Sequence, residues 1–164
     1  IYCQKFLNRP FDRNGNHAKN GVIHSPSLKK MLSHPYFKRR HPKSTGKEIF
    51  NIRFIPKQLL KRPSHDILAT LTELTAICIA KSIHSLKQSP QEVIVCGGGL
   101  KNNFLVSSIE RHINVTLTAS DQYGINPQAI EAMAFGWMAR QRLNKNPLTI
   151  KKNKGLLGTL TKAR

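Results

Sequence analysis

Acidic side chains are scarce in this chain: 8 Asp and Glu stand against 27 Lys and Arg in 164 residues, for a formal net charge of +19. Such an imbalance raises a nucleic-acid partner. The cations, however, are dispersed in small groups (Lys29 and Lys30; Lys38, Arg39 and Arg40; Lys61 and Arg62; Lys151 and Lys152), without the interleaved aromatics or readable recognition helix that would concentrate them on such a partner. A solvated, lysine-biased surface and one half of a larger protein whose other half is acidic are the competing readings. Cysteine is also thin. Cys3, Cys78 and Cys96 show no C-x-x-C spacing, and the apolar surroundings of Cys78 and Cys96 predict buried thiols in a reducing compartment. The seven histidines are scattered without metal-ligand spacing, which speaks against a zinc site. No G-x-x-x-x-G-K-[ST] loop is present, so a P-loop enzyme is excluded at motif level. The most apolar stretch, 67–80, is interrupted by Thr70, Thr72, Glu73 and Thr75 and reads as too short to span a bilayer. The chain starts at Ile1 with nothing resembling a signal peptide, so a cytoplasmic fragment is expected.

What the chain does contain is concentrated in the run Glu92-Val93-Ile94-Val95-Cys96-Gly97-Gly98-Gly99. Mostly β-branched residues predict a buried strand, and three glycines at its end remove every Cβ. Asn102 then stands as an N-cap for a helix from about 103 to 112. A strand, a bare backbone and a helix N-terminus let a flat or anionic ligand lie directly on the main chain. A tight turn without a ligand is the alternative, but one or two glycines would serve a turn, so the third calls for a separate reason. Cys96 offers no nucleophile here, because neither a base nor an orienting partner accompanies it in sequence.

Around this run the periodicities predict an α/β arrangement. Residues 1–65 are polar and rich in His, Lys, Asn and Pro, with a short helix at 27–32 opened by Ser25-Pro26. From 66 to 83, Ile67, Leu71, Leu74 and Cys78 recur at helical spacing, with Leu68 and Ile79 widening the stripe. After the 92–96 strand and its helix, Ile113, Val115 and Leu117 alternate with polar residues as a strand would. Asn126-Pro127 opens a last helix through Ile130, Met133, Ala134, Trp137 and Met138 to about Leu143. Helix, strand, helix, strand, helix implies parallel pairing with crossover helices. The expected division is a polar helical and loop segment at 1–65, an α/β core at 66–145 and a basic tail at 146–164, patterned only at Leu156-Leu157-Gly158. Glu131, one of the few acids, lies near the start of the last helix, on a different side from Met133 and Trp137. A carboxylate there commonly does no more than complement the helix dipole.

Three blocks, in order, carry a resemblance. The first is Phe11-Asp12-Arg13-Asn14-Gly15, continuing through Ala18 and Gly21 to His34-Pro35-Tyr36-Phe37 and Pro42-Lys43-Ser44-Thr45-Gly46-Lys47-Glu48. The second is Asp66-Ile67-Leu68-Ala69-Thr70-Leu71-Thr72, leading to Val95-Cys96-Gly97-Gly98-Gly99 with Asn102. The third is Gly124-Ile125 followed by Glu131-Ala132-Met133-Ala134-Phe135-Gly136-Trp137-Met138-Ala139. Together they resemble the C-terminal half of anhydro-N-acetylmuramic acid kinases, a branch of the actin, sugar kinase and heat-shock ATPase superfamily.

The resemblance implies the C-terminal domain of an actin-like (ribonuclease H-like) two-domain fold that closes over ATP. Such kinases use ATP and Mg²⁺ to open the 1,6-anhydro ring of anhydro-N-acetylmuramic acid with water while phosphorylating O6. The product is N-acetylmuramic acid 6-phosphate, in peptidoglycan recycling. By the same resemblance, Gly97, Gly98, Gly99 and Asn102 fall on the adenosine side of the cleft, Glu131 is the residue nearest the ring-opening chemistry, and the full-length protein is a homodimer. The phosphate-holding glycine loop and the general-base aspartate belong to a part of the family pattern with no counterpart in this chain, so the chain alone is expected to be inactive. Members are about twice this length. Departures also occur: Gln128 and Leu100 stand where an acid and a small residue are expected, and Lys151-Lys152-Asn153-Lys154 replaces a Thr-Gly-Ala block. A basic nucleic-acid-binding module and a non-functional gene fragment are the rival readings.

Overall fold

The computed structural model describes residues 1–40, 43–150 and 153–155. Helix α1 (Tyr2–Phe6) leads through two 3₁₀ turns (Arg13–Gly15 and Ala18–Asn20) to α2 (Ser25–Leu32) and α3 (Pro35–Lys38). Helix α4 (Lys57–Leu60) precedes the long α5 (Ser64–His84), which is followed by strand β1 (Glu92–Val95), α6 (Asn103–Glu110), β2 (Thr116–Ala119) and α7 (Ile130–Leu143). A short antiparallel pair, β3 (Leu148–Ile150) and β4 (Asn153–Gly155), follows α7. The Leu156-Leu157-Gly158 pattern lies outside the described residues.

Strands β1 and β2 pair in parallel, with Glu92 opposite Thr116 and Val95 opposite Ala119, as the alternation of helices and strands required. Helix α6 is the crossover between them. The second strand begins later than its sequence pattern predicts. His112 and Ile113 still bond back to the carbonyls of Ile109 and Glu110, so Ile113 is spent as a buried plug at the end of α6.

Helix α5 organises the molecule. Ile67 and Leu74 pack with Leu28, Met31, Ile55 and Leu59, while Ala76 and Ala80 further along pack with Ile109 and Ile113. Each large aliphatic side chain fully removed from water contributes roughly 1.5–3 kcal/mol. The two clusters therefore tie the front of the chain and the α6 crossover to one helix. Helix α5 extends beyond the 67–80 stretch on both sides, and with 21 residues it is, by length and composition alone, long and apolar enough to cross a membrane. It carries buried Asp66, Thr70 and Glu73, and each of them is hydrogen-bonded within the fold.

The N-terminal end of α5 is held by the loop before α2. The Asp66 carboxylate accepts the Val22 N–H at 2.8 Å, and Thr70 Oγ1 donates to the Asp66 carbonyl while accepting the His24 N–H. His17 Nε2 and Ser64 Oγ lie 2.7 Å apart. In the middle of α5, Glu73 meets Arg111 at 3.2 Å and His112 at 2.6 Å, clamping the helix to the end of α6.

Helix α7 departs from its pattern. It starts at Ile130 rather than at Asn126-Pro127, because Asn126 Oδ1 accepts the Gln128 N–H and the Asn126 carbonyl accepts the Ala129 N–H, closing a turn first. None of its residues is buried; Met133 and Trp137 are 54 % and 53 % exposed. Cys96 also proves exposed, against the expectation of a buried thiol, because it sits where β1 leaves the sheet. Cys3 is buried and Cys78 partly so.

Candidate functional site

In parallel α/β sheets, ligands bind at the carboxyl ends of the strands, where the backbone turns away from the sheet. Because Val95 and Ala119 are register partners, the segments leaving β1 and β2 emerge side by side at this edge. The segment after β1 is Cys96 and the three glycines. Gly97 has φ +84° and ψ −176°, a conformation essentially reserved for glycine, and Gly98 opens a 3₁₀ turn running to Lys101. A Cβ built on Gly97 or Gly98 would meet no atom within 4 Å. The first glycine is thus required by the backbone. No neighbour among the described residues requires the second, which leaves open space over the main chain.

The segment after β2 is a closed loop. Ser120 is buried; its Oγ donates to the Ile125 carbonyl at 3.0 Å, and the Ile125 N–H returns to the Ser120 carbonyl at 3.1 Å. Gly124 supplies a left-handed residue at φ +72°. The loop delivers the Pro127 carbonyl to the Gly97 N–H, 2.8 Å away. One bond therefore brings the glycine turn and the approach to α7 together. Glu131 lies exposed in the first turn of α7, beyond this junction.

Asn102 is the N-cap the sequence predicts, with Oδ1 accepting the Leu105 N–H at 2.9 Å. Its side-chain oxygen is engaged by that bond, so its contribution to any ligand is to aim the turn and the start of α6. Sequence reasoning missed what stands behind it. Gly15, at φ +69°, lies so close that a Cβ there would overlap Asn102 Oδ1 and come within 2.6 Å of Phe104 Cβ. The turn that places Gly15 is pinned by Asp12, whose carboxylate accepts the His17 and Ala18 N–H groups at 2.9 Å each. The Asp-x-x-Gly spacing was the available signal, since an acid closing a turn onto a left-handed glycine marks a close approach.

Of the Pro42-to-Glu48 block, Pro42 lies outside the described residues, and residues 43–48 make local contacts. Lys43 Nζ donates to the Tyr36 and Phe37 carbonyls and lies 5.0 Å over the Tyr36 ring. The Glu48 carboxylate is held below the usual range by its own N–H and that of Gly46, with help from the Thr45 hydroxyl. Its visible duties are to close local turns around a group of aromatic rings (Tyr36, Phe37, Phe50 and Phe54). On the sheet face away from α5, Glu92 accepts from Thr118 and Tyr123, bonds that lower the carboxyl and raise the phenol.

At Gly99 a Cβ would come no nearer than 3.9 Å to another side chain, that of Leu105, so the backbone of the turn is open on this side. Among the described residues no group of three His, Cys, Asp or Glu side chains could hold a metal ion. Mg²⁺ in nucleotide sites is held mainly by phosphates, waters and one or two carboxylates.

The family model described as "Anhydro-N-acetylmuramic acid kinase" matches residues 1–161. This chain belongs to that family. It is 41% identical over 167 residues to an anhydro-N-acetylmuramic acid kinase of Gamma-proteobacterium EBAC31A08, covering 99% of this chain and 46% of the relative. Similar proteins of the same name occur in Xylella fastidiosa (38% identical, 96% of this chain, 42% of the relative) and Hydrogenovibrio crunogenus (34%, 91% and 42%). The chain thus spans less than half the length of these relatives.

Proposed function

We propose that this chain is the C-terminal, nucleoside-side part of an ATP-dependent kinase of the actin-like superfamily, a cytoplasmic enzyme of peptidoglycan recycling. It opens 1,6-anhydro-N-acetylmuramic acid with water and phosphorylates it to N-acetylmuramic acid 6-phosphate. The carrying observation is the glycine turn at the carboxyl edge of the parallel pair, bare at Gly98 with no close neighbour among the described residues to require it. In this reading Gly97, Gly98 and Gly99 admit the adenosine, Asn102 fixes the turn, and Glu131 assists the ring-opening side as a polar group. ATP supplies the phosphoryl group, and Mg²⁺ neutralises the charge that gathers on it.

Phosphoryl transfer depends on positioning and on electrostatic clamping of the phosphates. The phosphate loop and the general base that activates water are assigned to the portion of the family length that this chain does not span, and the assembled protein is assigned as a homodimer. The test is a turnover assay with ATP, Mg²⁺ and the anhydro sugar. The chain alone should give no product, and the chain joined to the unmatched portion of the Gamma-proteobacterium relative should give the 6-phosphate. Turnover by the chain alone would refute the division of labour. Tight, steeply salt-dependent binding to RNA or DNA without ATP binding would replace the kinase reading by a nucleic-acid one.

A further inference from the structure

No residue from 121 to 143 is buried among the described residues, so hydrogen bonds, and not a core, register the approach to α7 on the sheet edge. The last buried side chain before that stretch is Ser120, 1 % exposed and just past the end of β2 at Ala119. A buried hydroxyl costs stability unless it is bonded, and this one is spent on the base of the loop. Both bonds of Ser120 go to one residue: its hydroxyl donates to the Ile125 carbonyl, and its carbonyl accepts the Ile125 N–H. Two bonds between the same residues fix an angle where one would leave a hinge.

Beyond Ile125 the chain has little slack. Asn126 accepts from the Gln128 and Ala129 N–H groups, and the Ala129 carbonyl takes the Met133 N–H at 2.8 Å in the first turn of α7. Between these bonds Pro127, whose ring fixes φ, presents its carbonyl to the Gly97 N–H. Glu131 follows in that first turn. An unbroken series of bonds thus runs from Ser120 to the glycine turn on one side and to the start of α7 on the other.

We propose that Ser120 is a positioning residue for the reaction. By locking the base of the 120–125 loop it holds Pro127 on Gly97, so that a nucleotide on the glycine turn orders the start of α7, and a sugar on the Glu131 side orders the glycine turn in return. The inference rests on the proposed assignment of adenosine to 97–99 and of the anhydro sugar to the Glu131 side. A ligand that orders a shared segment lowers the ordering cost for a second one, and the two tighten each other by the same factor. Ser120 acts only through Ile125 and Pro127.

The test uses the chain joined to the unmatched portion of the Gamma-proteobacterium relative. Calorimetry measures binding of the anhydro sugar with and without ADP, which occupies the nucleotide side without turnover. ADP should tighten the sugar by about fivefold or more in the unmutated enzyme and by less than about twofold in Ser120→Ala, while each ligand alone binds both proteins equally. The variant's kcat should fall about tenfold, with KM for the sugar rising no more than the lost coupling. A merely destabilising change would reduce the amount of active enzyme and leave the coupling factor as it was. On the unmutated enzyme, ADP should slow hydrogen exchange of the Met133 amide and the sugar should slow that of Gly97; this decides the matter if Ser120→Ala does not fold. Full coupling in Ser120→Ala, loss of either ligand measured alone, or ligands that bind the unmutated enzyme without coupling and without slowing these amides overturns the proposal and leaves the kinase reading standing. Absence of ADP binding to the unmutated enzyme overturns the nucleotide assignment, and the proposal with it.

Discussion

The backbone N–H of Gly97 donates to the carbonyl of Pro127 at 2.8 Å, joining two segments far apart in sequence. The turn after β1 and the lead into α7 are thereby set as one unit at the carboxyl edge of the sheet. Everything assigned to nucleotide handling depends on this junction keeping its shape.

Gly97 and Gly98 should separate the turn from the ligand. Gly97→Ala forces a side chain into a glycine-only region and should destabilise the protein by about 1–3 kcal/mol, read from urea unfolding. Gly98→Ala meets open space, so unfolding should move little while ATP affinity of the assembled enzyme, measured by calorimetry, falls at least tenfold. Unchanged ATP binding in a folded Gly98→Ala protein would remove the glycine turn from the nucleotide site.

The Asn102 cap and its buttress make a second pair. Asn102→Ala should cost about 0.5–2 kcal/mol through the lost bond to Leu105. Gly15→Ala should cost more, because it combines backbone strain with overlap on Asn102 and Phe104. Equal unfolding midpoints for Gly15→Ala and the unmutated protein would contradict the close approach.

Leu59 has no exposed surface and sits where α4 meets α5. Leu59→Ala should lower stability by about 2–5 kcal/mol, the range for a large side chain lost from a packed core. Thermal unfolding followed by circular dichroism checks it, and a shift within error would mean that the front segment does not share the core of α5.

Asp66 gives a pH signature. The Val22 N–H, then the neighbouring His65 and Arg62 side chains, hold its carboxyl below the ordinary carboxylate range against the opposing effect of burial. A carboxyl lowered on folding adds stability that is present above the unfolded value of about 3.9 and is lost as pH falls through the folded value. The stability gap between the unmutated protein and Asp66→Asn should therefore be widest near pH 6 and shrink as pH drops below about 4. A gap independent of pH would show that the charge of Asp66 plays no part in holding the loop at Val22.

The sequence alone determined the local elements. β-Branched residues followed by glycines specify a strand and its exit, Asn102 specifies the start of α6, and the 3.6-residue recurrence specifies α5, because each depends on neighbours within one or two turns. The order of those elements was enough to require parallel pairing of β1 with β2. Only the tertiary structure decided that Pro127 closes onto Gly97, that Gly15 stands against Asn102, and that Val22 binds Asp66 across the fold. Contacts of this kind join positions far apart in the chain, and no local propensity encodes which distant backbone group will meet a given carboxylate. The exposure of α7 also lay beyond reach of the pattern. A helical period specifies the element, and whether its apolar residues meet a neighbour is settled by tertiary packing.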